Sequence, residues 1–290
     1  MQNITQEELN QKLIESLENL PPLPETIQEI KVYTAKKGFD IRIDEVSSII
    51  EKDPLITASL LHLANSAYYG FSREIKTINQ CVILLGVNNV KNILIADYAK
   101  RSFDLDVSPY GFKTDEFLEN CREESEFISY WLLEEDKELC HTLIPCVMFL
   151  RLGIMVFSKF LLDNKLDKQF LVHLNKEEYD DILVSERDFF GMNHITFLTN
   201  LFKYWNLNEI FTEAIMALDN LNQIPAKIRK EVYALAIVEN LYRPQIKKDY
   251  KANILRAISI LKHAKMNEFD FNLEKFLDKI PMKFKKDLDI

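Results

Sequence analysis

Paired carboxylates can hold a divalent ion or trade protons, and the acidic run Glu119-Asn120-Cys121-Arg122-Glu123-Glu124-Ser125-Glu126 offers them. Placed on a helix, several of these carboxylates share one face. A solvated helix face is the commoner use of such a run. Cys140-His141 sets a thiol beside an imidazole, the parts of a nucleophile and its base. Adjacent helical residues point about 100° apart, so these two would not face each other.

The other histidines, His62, His173, His194 and His263, are scattered, none is followed by aspartate, and no HExxH occurs. His62, within Leu61-His62-Leu63-Ala64-Asn65, reads as an interior or half-exposed ring with one hydrogen bond. A Walker loop, a GxGxxG turn and a GxSxG elbow are missing, so neither phosphate cradling nor a local serine nucleophile has support. Near the end, Lys275, Lys279, Lys283, Lys285 and Lys286 interleave with Phe276, Leu277, Ile280, Met282 and Phe284. That pattern suits a membrane surface or a partner protein. A terminal helix docked on the body, lysines outward, explains it more simply.

Helices must position these groups. The chain has 290 residues, 47% of them hydrophobic, enough for one large core or two joined lobes. Its 6 glycines and 9 prolines are too few for turn-rich β architecture. A formal net charge of −9 and a pI near 5.2 oppose phosphate-backbone binding, so nucleic acid is not an expected partner. A local basic patch at Lys227, Arg229 and Lys230 is the one counter-reading, apart from the lysine-rich end. Cys81, Cys121, Cys140 and Cys146 form no CxxC pair and read as small buried hydrophobes in a reducing compartment. The N-terminal residues lack a signal-peptide pattern, and the apolar stretch 146–162 is interrupted by Arg151. A cytoplasmic protein without an integral membrane segment is expected.

The apolar spacing predicts a first helix over 7–20, ended by Pro21-Pro22-Leu23-Pro24, and a second from Pro24 to Gly38. A short helix over 44–52 precedes Asp53-Pro54, an acceptor followed by proline, which restarts a helix running to Gly70. Thr77 caps a helix ending at Gly86, and Asn88 or Asn89 caps the next, to Phe103. After the break at 104–112 come helices over about 114–135 and 138–162, then a mixed connection over 164–175. Ser185 with Asp188 resembles a capping-box start, Asn193 caps a helix to Trp205, Asn208 caps one to Leu218, and Pro225 opens one to Tyr242. Two more helices follow. With no alternating runs and no repeat, the fold class is all-α, a multi-helix bundle in two packed lobes.

The segment Asp53-Pro54-Leu55-Ile56-Thr57-Ala58-Ser59-Leu60-Leu61-His62-Leu63-Ala64-Asn65-Ser66-Ala67-Tyr68-Tyr69-Gly70 closely resembles the HDOD family of bacterial signalling domains. Upstream Leu20-Pro21-Pro22-Leu23-Pro24 and downstream Ile75-Lys76-Thr77-Ile78 with Leu85-Gly86 extend the likeness. Glu186, Gly191 and His194, followed by Leu201 and Trp205-Asn206-Leu207, look like the family's late helix pair. The resemblance covers about 13–218. It implies a lead-in over 1–12, an N-terminal helical lobe over 13–103, an HD-like bundle over 114–218 and a helical extension over 219–290.

The family is similar in fold to HD-type metal phosphohydrolases but is generally regarded as lacking their activity. Anchored on Gly153, the hydrolase pattern HDxG falls on Leu150-Arg151-Leu152-Gly153, which replaces a ligand histidine and aspartate with an apolar group and a cation. The earlier ligand histidine falls near Asn120. His194 matches a metal-ligand position of related HD-GYP enzymes, but one imidazole does not make a site. Pairing of His194 with Glu186 or a backbone carbonyl is its simpler role. Leu198 stands where glycine is usual and Asn208 where proline is usual, so contacts near His194 are expected to be crowded. Ala217-Leu218-Asp219 replaces a histidine-rich end.

Asn65, Ser66 and Tyr69, with Arg151, Glu186 and His194, are the candidate interaction or polar-pocket residues. For Asn65-Ser66-Ala67, local capping competes with a role as a partner surface. The expected function is signalling or regulation by binding a partner protein, or a ligand held between the lobes, with no catalytic residue, cofactor or metal. The competing reading is a metal-dependent phosphohydrolase rebuilt from Asn120, Glu123, Glu124, Glu186 and His194.

Overall fold

The computed structural model describes residues 5–20, 22–38, 40–102, 105–176, 179–205, 207, 209–245 and 250–286. Pro21, Phe103, Asn206 of the late motif, and Asn208 with its expected cap and departure lie outside the described residues. Helices α1 (Gln6–Glu15), α2 (Glu25–Lys37), α3 (Ile43–Glu51), α4 (Pro54–Ala64), α5 (Ile78–Leu85) and α6 (Val87–Ser102) come first. Then follow α7 (Thr114–Leu132), α8 (Lys137–Phe149), α9 (Leu152–Asp163), α10 (Asp167–Leu174), α11 (Ile182–Phe190), α12 (His194–Tyr204) and α13 (Glu209–Leu218). The chain closes with α14 (Arg229–Tyr242), α15 (Tyr250–Met266), α16 (Leu273–Lys279) and α17 (Met282–Lys285). No strand occurs among the described residues.

Helices α2 to α6 pack on one another as the first lobe, and α6 lies against α8 of the second. One continuous buried cluster runs from Leu9 to Phe284 and unites the two lobes. α1 packs on α11, where the Gln6 amide donates to the Arg187 carbonyl and the Asn10 amide to the Phe190 carbonyl. α14 is central: it touches α7, α8, α13 and α15.

Local chemistry set many of the boundaries. Asp53 accepts from the amides of Leu55 (3.0 Å) and Ile56 (3.1 Å), with Pro54 where its missing N–H does no harm. Thr77 caps α5 and Asn193 caps α12, and Gly38, Gly86 and Gly191 end their helices at positive φ. Other boundaries differ from the sequence reading. α4 stops at Ala64 rather than Gly70, because Asn65 turns the chain by bonding the backbone of Ile75. α6 begins directly at Val87, and Asn89 instead donates to the Leu85 carbonyl. The start of α11 is Asp181, which accepts from the Leu183 amide, while Ser185 and Asp188 lie inside the helix. Residues 167–174 form α10 within the expected connection.

The expected helix over 138–162 is two helices, α8 and α9, that turn at Leu150-Arg151. Leu150 and Arg151 both suit a helix interior, and apolar residues resume directly after Arg151, so spacing alone does not mark the turn. Lys137–Asp163 taken together is long and apolar enough to cross a membrane by composition. Its most apolar window is 89% buried in the protein, as befits a core helix.

Gly153, in the first turn of α9, lets α12 cross at very short range. A Cβ there would lie 2.5 Å from the His194 carbonyl oxygen and 2.8 Å from its Cβ. Backbone cannot yield as a flexible side chain does, so Gly153→Ala should lower stability by about 1–3 kcal/mol in urea unfolding. Unchanged stability would show that the two helices separate freely.

Candidate functional site

The acidic run lies on α7 and divides between two faces. Arg122 takes Glu119 and Glu126 on the surface, and Lys283 reaches Glu123 and the Asn120 amide oxygen. Glu124 points the other way, into the core, with 1% of its surface exposed. Helical periodicity placed several carboxylates together, but their destinations depend on which neighbours pack on each side.

Glu124 meets Arg151, itself 3% exposed, at the turn between α8 and α9. The guanidinium grips both carboxylate oxygens, Nε to Oε2 at 3.0 Å and Nη2 to Oε1 at 2.7 Å. Nη2 also donates to the Glu239 carbonyl (3.0 Å), and Nη1 faces Glu239 Oε1 at 3.5 Å. Glu239, on α14, is held one turn later by Arg243, Nε to Oε1 at 3.0 Å and Nη2 to Oε2 at 2.6 Å. Arg243 in turn bonds Asp181. Two guanidinium groups and three carboxylates thus form one buried network (Fork-shaped donors fit carboxylates in this way, and charge-assisted bonds are the strong ones).

The two buried glutamates behave differently. Burial pushes the Glu124 carboxyl up to about 7, against the pull of Arg151. Burial also opposes ionisation of Glu239, yet Arg243 and Arg151 together hold it down to about 2. Arg151 overcomes its own desolvation through Glu124 and Glu239 and stays charged.

A second buried pair stands nearby. Glu186 Oε2 accepts from the His194 backbone N–H (2.8 Å) and lies 2.7 Å from ring Nδ1, while Tyr110 Oη donates to Oε1 at 2.7 Å. A carboxylate only accepts, so Nδ1 carries the ring proton. Nε2 is buried without a hydrogen-bond partner. The crossing at Gly153 ties this pair to the helix that starts at Arg151. Leu198, on the same helix as His194, is fully buried.

The remaining sequence candidates serve elsewhere. The Asn65 side chain bonds the Ile75 amide (2.7 Å) and carbonyl (2.8 Å) and the Leu61 carbonyl, and Ser66 donates to the Leu63 carbonyl. Tyr69 is buried at 1% exposure, so of this segment Ala67 and Tyr68 present more surface. Cys140 is buried, and the His141 ring meets the Tyr69 carbonyl and the rings of Tyr69 and Phe71. His62 is exposed. Lys227 and Lys230 pair with Glu213 and Asp136. Sequence reasoning missed Glu239, Arg243 and Asp181. Only the i,i+4 spacing of Glu239 and Arg243 hinted at a pair.

These residues do not fit a divalent metal. Leu150 has no lone pair, the Arg151 guanidinium fills the space beside Glu124, and Lys283 engages Asn120 and Glu123. Among the described residues, no group of three or more His, Cys, Asp or Glu side chains is arranged to hold a metal ion. A cavity of about 80 Å³ opens beside the network, bounded by Asn120, Cys121, Glu124, Arg151, Arg243 and Tyr242, and Phe284 of α17 closes it. It lies between the second bundle and the C-terminal helices.

Comparison with known proteins adds four findings. The HDOD domain family model matches residues 20–221. A Campylobacter jejuni structure described as a virulence factor is 44% identical, with 96% of this chain and 99% of that one covered and a TM-score of 0.61. A Shewanella amazonensis SB2B structure, provisionally assigned as a phosphohydrolase, shares the fold at 18% identity, with 93% and 98% covered and a TM-score of 0.59. An uncharacterised protein of Treponema pallidum (strain Nichols) is 26% identical over 89 residues, which span 31% of this chain and only 17% of that protein.

Removing Arg151 leaves Glu124 buried without its counter-charge. Arg151→Leu should cost about 3–5 kcal/mol in mildly alkaline buffer, and adding Glu124→Leu should recover most of that loss. Equal stability of the single and double variants would contradict this coupling. A pH effect follows from Glu124 as well. Its folded pKa is raised from an ordinary 4.5 to about 7, so its contribution is full below about pH 4.5 and is lost as pH rises through about 7. Glu124→Gln should flatten the fall in urea midpoint across that window, while Glu239 acts in a separate one, below 4.5.

Proposed function

The chain belongs to the HDOD domain family, and on that footing we propose that it is a signalling module that regulates by binding a partner protein or small ligand, without catalysis. The observation that supports this reading is the Arg151 guanidinium, seated between Glu124 and Glu239 at the position that the family resemblance matches to the His-Asp pair of HD-type hydrolases. A permanent cation with two counter-carboxylates satisfies the charge of the site internally. Hydrolysis at neutral pH needs several ligands, an open coordination position and a polarised water. A cytoplasmic setting belongs to the same proposal, since four buried free thiols suit a reducing compartment.

The competing hydrolase reading draws on His194, whose Nδ1 is oriented by Glu186 as metal-ligating imidazoles are and whose Nε2 is unpartnered. Its proposed co-ligands are otherwise engaged: Glu124 by Arg151, and Asn120 and Glu123 by Lys283. Elemental analysis after incubation with zinc, manganese or iron, with phosphodiesterase and nucleotidase assays, separates the two. The expected result is substoichiometric metal and turnover no higher in the parent than in His194→Ala. One tightly held metal per chain, with cleavage abolished in His194→Ala, would overturn the proposal.

A further inference from the structure

A groove of about 530 Å³ lies where the turn after α4, the outer face of α7 and the C-terminal helices meet. It is lined by Tyr68, Phe127, Tyr130 and Tyr242 and by three carboxylates, of which Glu123 is paired with Lys283 and Glu126 with Arg122, while Glu134 is exposed. Tyr242 is 6% exposed, lines both this groove and the cavity beside Arg151, and its hydroxyl has no hydrogen-bond partner. Tyr130, at 65% exposure, presents its ring to solvent.

The chain itself shows which chemistry this face of α7 takes. Lys279 sets its ammonium 4.4 Å from the Tyr130 ring centroid. Lys283, in the short helix that follows the extended Ile280-Pro281 step, bonds Glu123 and Asn120 and lies 5.5 Å from the Tyr242 centroid. Between and beside them Phe276, Ile280 and Phe284 are buried. A basic, apolar segment is therefore already docked against the acidic and aromatic surface, and the groove is the adjoining part of that surface left uncovered. Cations over tyrosine faces and carboxylates at the rim favour lysine or arginine, and the apolar floor favours the aliphatic stems that carry them.

We propose that this groove docks a basic amphipathic segment of a partner protein, one that alternates lysine or arginine with apolar side chains as residues 275–286 do. This rests on the non-catalytic reading above, and it names the surface and the partner's chemistry. Helix-in-groove recognition of this kind uses a hydrophobic trough for affinity and rim charges for orientation.

The test uses the full chain and two labelled helical peptides of equal length, one of leucine and lysine, the other of leucine and glutamate, followed by fluorescence anisotropy. The leucine–lysine peptide should bind and the leucine–glutamate peptide should not. Tyr130→Ala, and separately Glu126→Lys with Glu134→Lys, should each weaken binding by about tenfold. Glu7→Gln with Glu15→Gln, which removes acidic charge from α1, should leave it unchanged. Circular dichroism checks that every variant is folded. No binding, equal binding of both peptides, or equal loss from the α1 variant would overturn the proposal. Those failures would leave the metal and hydrolysis results standing, so the groove and the non-catalytic reading fall separately.

Discussion

A guanidinium held in the interior needs counter-charge, and Arg151 obtains it from two distant parts of the chain. Glu124 comes from α7, Glu239 from α14, and Arg243 and Asp181 extend the chain of charges to the start of α11. Such a network contributes little if its desolvation is counted, but losing one member is costly, because the others remain buried with unbalanced charge. The packing of α7, α8, α11 and α14 is therefore coupled through one electrostatic unit. The short crossing at Gly153 adds the Glu186–His194–Tyr110 group to the same region.

This arrangement accounts for the place of the C-terminal third. α14 lies wholly beyond the family match at 20–221, yet it and the residue that follows it, Arg243, supply two of the five charged groups in the network. Asn253, fully buried on α15, donates to the carbonyls of Leu241 and Arg243 and so holds the end of α14 in position. Farther on, α16 packs on α7, with Phe276 against Phe127 and Trp131, and Phe284 of α17 meets Tyr242 and Tyr250. Among the described residues beyond 219, α14 packs on α7, α8 and α15, and α16 packs on α7, which joins them to the body around Arg151.

Much of the local architecture was legible because it depends on near neighbours. Asp53-Pro54, Thr77, Asn193 and the glycine stops act within a turn of their own position, so residue type and spacing were enough. The break at Leu150-Arg151 and the start of α11 were not. In both, the residues around the boundary suit a helix interior as well, and packing chose among the options. The HDOD likeness was carried by 53–70 and its flanking motifs, and the reading of Leu150-Arg151 against a His-Asp pair came from that likeness.

From sequence alone came the all-α class, the family and the presence of a cation at position 151, since these follow from composition, order and identity. Tertiary structure decided which carboxylates answer that cation. Glu124 and Glu239 are far apart in the chain, and Glu124 sits among surface-bound glutamates that look equivalent to it. Only the packing of α7 against α8 and α14 turns it inward, because a side chain's partner across a core is set by the neighbouring helix and not by its own.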